Sequence, residues 1–143
     1  AHPASLLAAK TIMTYLAEHE DEVYPRLAEL GEMTRRTIET AFADEGVNAR
    51  CTGYGNEVVP GSSLAMTHFP CEAGRELKTP DDIYDPGVCN VTLRERVLKL
   101  GLLLEDVHVI HGLGALSMAH TEDDVARLGE ACRRVARRMK PHL

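Results

Sequence analysis

The chain has 143 residues, of which 44% are hydrophobic and 27% charged, and its formal net charge is −6. This size and balance predict a globular chain of one domain's length. Phosphate binding requires a basic surface, so the acidic balance argues against nucleic acid as a partner. No apolar run approaches the ~20 residues that a membrane span requires, and we therefore expect no membrane partner either.

Four cysteines, Cys51, Cys71, Cys89 and Cys132, are widely spaced and include no C-x-x-C pair. That spacing argues against a structural zinc site, and we assign no metal ligands. It is also too sparse for a disulfide scaffold, so we expect ordinary thiols in a reducing cytoplasm. The chain begins without Met at a sequence typical of a helix start, from which we expect a piece of a longer protein.

Two helices are predicted at the N-terminus. The first covers residues 4–19, with Pro3 at the position where a missing N–H costs little. The second begins with Asp21 as its N-cap, has Pro25 in its first turn and ends at Gly46. Its buried face is predicted to consist of Leu27, Leu30, Thr34, Ile38, Ala41 and Phe42.

Short strands and one long loop are predicted next. Residues 47–52 alternate as a half-buried strand does, and residues 53–56 form a turn. Residues 58–59 and 63–69 then form one kinked strand or two short ones. Residues 70–90 carry several prolines and glycines with little periodicity, which predicts a long loop that is functional or mobile.

The C-terminal part is predicted to hold two helices and two strands. A third helix covers residues 91–104, strands at 107–110 and 115–118 flank the glycines of 112–114, and the last helix covers 122–139. The predicted apolar faces are Leu93, Val97, Leu100 and Leu104 in the third helix, and Val125, Leu128, Cys132, Val135 and Met139 in the last.

The last helix has the clearest start signal in the chain. Thr121 is predicted as its N-cap and Asp124 as the partner of a capping box. Carboxylates at 122–124 suit the positive end of the helix dipole. Taken together, the element order predicts an α+β fold with a small antiparallel or mixed sheet of three to four strands. Helices pack on one face of this sheet, and two N-terminal helices lead into it.

His108 and His111 are the candidate site residues. They form an H-x-x-H pair at a strand end, but a strand places positions i and i+3 on opposite faces, which disfavours shared metal binding. Strand ends often line pockets, so both histidines are candidates for the edge of a substrate entrance. His120 precedes an N-cap and is expected to form local hydrogen bonds. The G-x-G elements at 53–55 and 112–114 are typical of turns and lack a dinucleotide fingerprint.

The arginines near the end of the last helix allow two interpretations. They could form a nucleic-acid patch, but cations at a helix C-terminus need no partner, and we favour that account. No nucleophile–base pair, P-loop or metalloprotease motif is present. We therefore assign no catalytic and no cofactor-binding residue in this chain.

Four segments in the same order resemble class III pyridoxal-phosphate aminotransferases, which have fold type I. His2–Ala9 is similar to the family's N-P-x-x-x-A-A helix start, and Tyr24–Gly31 to its Y-x-R-L-x-x-L-G helix. Thr52–Asn56 resembles the T-G-x-G-S turn, and Ala119–Val125 resembles the A-H-T-E-E-D-I of glutamate-1-semialdehyde 2,1-aminomutases. His2 replaces the usual Asn, and the 70–90 segment departs from the aminomutase pattern.

The resemblance implies a C-terminal small domain at 46–143, joined by a helical connection at 1–45 to a large domain outside this chain. It implies an amino-group transfer on an amino acid or semialdehyde in a homodimer, with pyridoxal phosphate in the full-length protein. The Schiff-base lysine is expected upstream, because no lysine here lies in the family's lysine motif, and this piece alone is expected to bind no cofactor. The four lysines are Lys10, Lys78, Lys99 and Lys140.

Two alternatives stay open. A free-standing α+β ligand-binding or regulatory module would use the 70–90 loop and the His108–His111 edge as its pocket. A helical docking domain would bind an acidic partner through its arginine-rich end.

Overall fold

A computed structural model of the chain describes residues 2–56, 61–110 and 112–143. Four helices and a three-stranded antiparallel sheet make up the described part, which confirms the predicted α+β fold. The helices are α1 (Pro3–Glu18), α2 (Glu20–Asp44), α3 and α4 (Glu122–Met139). Helix α3 has wide π-type turns over Leu93–Leu98 and α-type turns over Lys99–Leu103, and a 3-10 turn at Lys140–His142 follows α4.

Helix α2 differs from its prediction at its start. Only His19 separates the two N-terminal helices, so α2 begins at Glu20. Pro25 therefore lies inside α2, beyond its first turn. Both Asp21 and Pro25 are exposed, so the Asp21 carbonyl that loses its helical partner faces water. Five of the six residues predicted for the buried face are buried, and Leu27 is half-buried.

Gly46 ends α2 as predicted. Its φ of +74° is a left-handed conformation that glycine adopts without steric cost. Gly46 donates its backbone N–H to the Ala43 carbonyl (2.9 Å), and Val47 donates to the Phe42 carbonyl (2.9 Å). These two bonds form a Schellman motif and turn the chain towards the sheet.

The sheet has the order β1 (Arg50–Thr52), β2 (Leu64–His68) and β3 (Leu113–Ala115). Cys51 lies opposite Thr67, and Ala65 lies opposite Gly114. Of the residues in the strands predicted at 107–110 and 115–118, only Ala115 lies in β3. Leu113 and Gly114 are themselves in β3, because the backbone here pairs with the distant strand β2 instead of a sequence neighbour. The predicted strand residues 58–59 lie outside the described part.

Of the predicted apolar face of α3, Leu93 packs against the core, but the other three residues do not. Val97, Leu100 and Leu104 are 38%, 60% and 76% exposed. The buried positions are Arg94, Leu98 and Leu102, which are spaced four apart. The π-type turns explain the difference, because they fit more residues into a turn than the α-helical period used for the prediction.

The core lies between α2, α4, α3 and the sheet. Helix α2 contacts both β1 and β2, and α4 packs on α2 and α3. Gly129 of α4 permits this close approach, since a Cβ there would lie 2.6 Å from Thr37 Cγ2. The apolar stripe predicted for α4 is confirmed: Val125, Cys132, Val135 and Met139 are buried, and Leu128 packs against the core.

Residues 70–90 form an irregular loop, as predicted. Its two ends are joined by a bridge between Pro70 and Cys89, by the Cys71 N–H donating to the Val88 carbonyl (2.8 Å), and by the Asn90 N–H donating to the Phe69 carbonyl (2.8 Å). Turns with internal hydrogen bonds fill the loop between these ends. Among the described residues, no helix combines the length and the apolar character needed to cross a membrane.

Candidate functional site

A groove of about 370 Å³ lies where α2, the edge strand β1 and the 70–90 loop meet. Segment 74–78 forms its loop side. The sheet and helix side is formed by Glu39, Arg50, Cys51, Thr52 and Tyr54. A volume of this size falls within the range of small-molecule sites in proteins.

Glu39 stabilises the free edge of β1 inside the groove. Its Oε1 accepts the Cys51 N–H at 2.7 Å, which satisfies a backbone donor that no neighbouring strand can pair. Burial, followed by the charge of Glu39 and a hydrogen bond to it, raises the pKa of the Tyr54 phenol. Tyr54 is therefore a neutral hydrogen-bonding group at physiological pH and does not act as a base there.

The side chains that line the groove carry three positive charges, on Arg50, Arg75 and Lys78, and two negative charges, on Glu39 and Glu76. Lys78 pairs with Glu76 at 3.0 Å, and Glu39 accepts the Cys51 N–H while its negative charge stays in the groove. Arg50 and Arg75 also line the groove and form no ion pair with any residue in the described part of the chain. Neither guanidinium is held in an ion pair there, and the charge of Arg75 contributes to lowering the pKa of the Asp82 carboxyl.

A buried polar cluster joins the sheet to α3 and to the loop. Arg94, 1% exposed, approaches His68 Nδ1 through its Nη1 at 3.1 Å and also donates to the Ile83 carbonyl at 3.0 Å. Since a guanidinium can only donate, His68 Nδ1 is the acceptor, and its Nε2–H is left to donate to Thr52 Oγ1 at 3.1 Å. Arg94 also lies over the Tyr84 ring, with its Cζ 4.9 Å from the ring centroid.

His68 is held in its neutral form. Burial, with the positive charge of Arg94 as a second cause, lowers the pKa of the His68 imidazole from 6.5 to about 4. Protonation would remove the acceptor of the Arg94 bond and place two cations in contact. The cluster therefore holds β2, α3 and residues 83–84 together. It does not exchange protons near neutral pH.

Arg35 is a second fully buried guanidinium. It donates to the carbonyls of Ser62 (2.8 Å) and Leu64 (2.7 Å), and it lies over the Tyr54 ring at 4.8 Å. Its Nη2 is 3.5 Å from a Glu32 carboxylate oxygen. These contacts tie α2 to the start of β2 and support the wall of the groove that Tyr54 forms.

Sequence reasoning missed Arg35, His68 and Arg94. The available signals were positional, because Arg35 falls within the apolar stripe of α2 and Arg94 lies one turn before Leu98. The groove could not be found in this way, since Glu39, Arg50 and segment 74–78 come from three distant parts of the sequence.

The predicted entrance histidines are His108 and His111. His108 is exposed and does not line the groove, and His111 lies outside the described residues. His120 forms the local hydrogen bonds that we expected, accepting the Ser117 N–H at its Nδ1 (3.0 Å). Among residues 2–56, 61–110 and 112–143, no group of three or more metal-ligating side chains is arranged to hold an ion.

The cysteines and the arginine-rich helix end have local explanations. Burial raises the pKa of the Cys51 and Cys132 thiols to about 12, which leaves them protonated and unreactive. The arginines at the end of α4 are paired within the chain, to Asp44, Glu45, Glu105 and Glu130. These contacts favour a role inside the fold over binding to an external acidic partner.

No protein-family model matches the chain, and no curated protein matches it either. The fold and the sequence together are, however, similar to part of an aminotransferase of known structure. That protein is the β-phenylalanine aminotransferase from Variovorax paradoxus, with 27% sequence identity and a TM-score of 0.57. The similarity covers 82% of this chain and 24% of the aminotransferase, so the chain spans about a quarter of that protein's length.

Proposed function

We propose that this chain is the C-terminal small domain of a pyridoxal-phosphate-dependent enzyme of the aminotransferase and aminomutase group. The observation that carries the proposal is the match to an aminotransferase across 82% of the chain. The four sequence segments that resemble this group also support the proposal, because they occur in the family's order. Residues 1–45 would connect to a large domain, and residues 46–143 would form the small domain.

The exposed surface of α1 supports a missing large domain. None of the residues of α1 is buried. Four of its apolar side chains are each more than half exposed: Leu6, Leu7, Ile12 and Met13. A helix with so much uncovered apolar surface is typical of an interface. The large domain that the proposal requires would cover this helix.

The described residues do not fit a cofactor site of their own. All four lysines are exposed, whereas a Schiff-base lysine is activated by an enclosed or charged environment. The proposal therefore locates the cofactor-binding lysine in the large domain, and no chemical step is assigned to this chain. Pyridoxal phosphate, when bound there, would supply the electron sink for amino-group transfer.

Within this group we favour an enzyme related to glutamate-1-semialdehyde 2,1-aminomutases, acting in the cytoplasm as a homodimer on an amino acid or semialdehyde. This more specific proposal is supported by segment Ala119–Val125, which resembles the corresponding segment of those aminomutases. In this proposal His108 and His111 are the candidate residues of the substrate entrance. The small domain would contribute packing, part of that entrance and dimer contacts.

Cofactor binding tests the proposal. We expect the 143-residue chain mixed with pyridoxal phosphate to form no stoichiometric adduct that borohydride fixes to one lysine. The protein expressed from the longer reading frame is expected to form that adduct with one upstream lysine. A stoichiometric adduct on the short chain, or a start codon directly before Ala1, would contradict the proposal.

A free-standing ligand-binding module is the second candidate, and the groove beside β1 favours it. The 70–90 loop does line that groove through segment 74–78, as this alternative requires. The reading frame separates the two candidates, since only the enzyme needs an upstream large domain.

A further inference from the structure

Two of the four arginines that lack an ion pair in the described structure lie in one groove. Most of its twelve arginines have an ion-pair partner in the described structure. Only Arg50, Arg75, Arg96 and Arg127 have none there. Arg50 and Arg75 both line the groove, whereas Arg96 and Arg127 do not. Two guanidiniums without an ion pair therefore lie in one concave site on a protein of net charge −6, where they attract an anion locally.

The other groove residues limit the kind of anion that fits. Glu39 and Glu76 line the same groove, so an anion with concentrated double charge would be repelled. Tyr54 and Leu77 offer uncharged surface for a carbon skeleton. The planar donor fork of a guanidinium matches a carboxylate through two parallel hydrogen bonds.

We infer that the groove between β1 and segment 74–78 binds a small carboxylate-bearing organic molecule through Arg50 and Arg75. The carboxylate lies at the guanidiniums, and the carbon skeleton lies against Tyr54 and Leu77. This site is built from residues of this chain alone. It therefore does not depend on the cofactor or on the large domain of the proposed function.

The probe for the test is sodium butyrate, which combines one carboxylate with a short carbon chain. Backbone amide signals of the ¹⁵N-labelled chain are followed by NMR during titration at constant ionic strength. We expect saturable shifts concentrated in residues 50–54 and 74–78. Butylammonium, which has the same skeleton with a positive charge, is expected to give none, and inorganic phosphate is expected to bind more weakly.

Two double variants separate a specific site from general charge attraction. Arg50→Gln with Arg75→Gln is expected to weaken butyrate binding about tenfold or more, which corresponds to the loss of one charged hydrogen bond. The control, Arg96→Gln with Arg127→Gln, removes the same charge outside the groove and is expected to keep the affinity. All four side chains are exposed, so each variant is expected to fold, and circular dichroism verifies this.

Three results would overturn the inference. Butyrate could give no saturable shifts at the groove, or both double variants could weaken binding equally. Phosphate could also saturate the same amides more tightly than butyrate, which would assign the groove to a different class of anion. None of these results bears on the proposed aminotransferase function, which is tested by the lysine adduct.

Discussion

At the scale of single residues, the folded structure depends on two buried arginines that charge alone would place at the surface. Arg94 donates to an imidazole nitrogen, a carbonyl and the Glu95 carboxylate (2.8 Å), and it faces an aromatic ring, while its buried Nη2 has no hydrogen-bond partner among the described residues. Breaking such a network by removing one partner leaves a buried charge without compensation. His68 is the partner whose state depends on pH.

The His68 imidazole makes stability depend on pH in one direction. Its pKa is about 4 in the folded chain and 6.5 when unperturbed, so the unfolded chain binds a proton first as pH falls. The stabilisation is therefore complete above pH 6.5 and is lost progressively towards pH 4. We expect the free energy of unfolding to fall by roughly 1–3 kcal/mol through this group over that interval.

Urea unfolding of the parent and of His68→Gln at several pH values measures this effect. Glutamine keeps an acceptor for Arg94 and a donor for Thr52 but does not titrate, so it is the matched control. The difference in unfolding free energy between parent and variant should shrink as the pH is lowered. A constant difference across the range would show that His68 has the same pKa in the folded and the unfolded chain.

At the scale of elements, capping residues and the apolar stripe determine where a helix starts and which face is buried when one side of the helix faces solvent and the other faces the core. Helix α4 is the best example. The Asp124 N–H donates to Thr121 Oγ1 (3.3 Å), and the Thr121 N–H donates to Asp124 Oδ2 (2.9 Å), which completes the predicted capping box. These Thr121 donors also lower the pKa of the Asp124 carboxyl.

Thr121→Ala is expected to lower the free energy of unfolding by about 1 kcal/mol, because it leaves an N-terminal N–H of α4 without its acceptor. Thr11→Ala is the matched control. Thr11 is exposed within α1 and donates only to the Leu7 carbonyl, so its replacement should change stability by less than about 0.5 kcal/mol. Chemical denaturation of both variants measures the two changes in the free energy of unfolding. Equal changes would contradict the capping argument.

At the scale of the whole molecule, the core is complete without α1. The buried residues come from α2, the sheet, α3, α4 and the segments that join them, and no residue of α1 is among them. Helix α1 therefore adds little to the stability of this chain alone. Its apolar surface matters only when another domain covers it.

Deleting residues 2–18 is accordingly expected to change the free energy of unfolding by less than about 1 kcal/mol. Phe42→Ala, which removes a fully buried ring packed edge-on against Phe69, is expected to cost about 3–5 kcal/mol. Thermal and urea unfolding compare the two variants. A large loss on deletion would show that α1 packs on the core in solution.

The sequence predicted the helices well because their signals are local. Capping residues, the glycine after α2 and the apolar stripe of α4 are read within one or two turns. It failed at β3 and at the buried face of α3. Pairing of Gly114 with Ala65 and the π-type turns before Lys99 depend on contacts with distant parts of the chain.

The sequence by itself determined the α+β class, the number and order of helices, the capped start of α4 and the resemblance to aminotransferases. The tertiary structure decided which polar residues are buried and where a ligand could bind. Arg50 and Arg75 are far apart in sequence, and only the approach of the 70–90 loop to β1 brings them to one groove. Helix signals act over a few residues, whereas a groove is made by chain segments that only folding brings together.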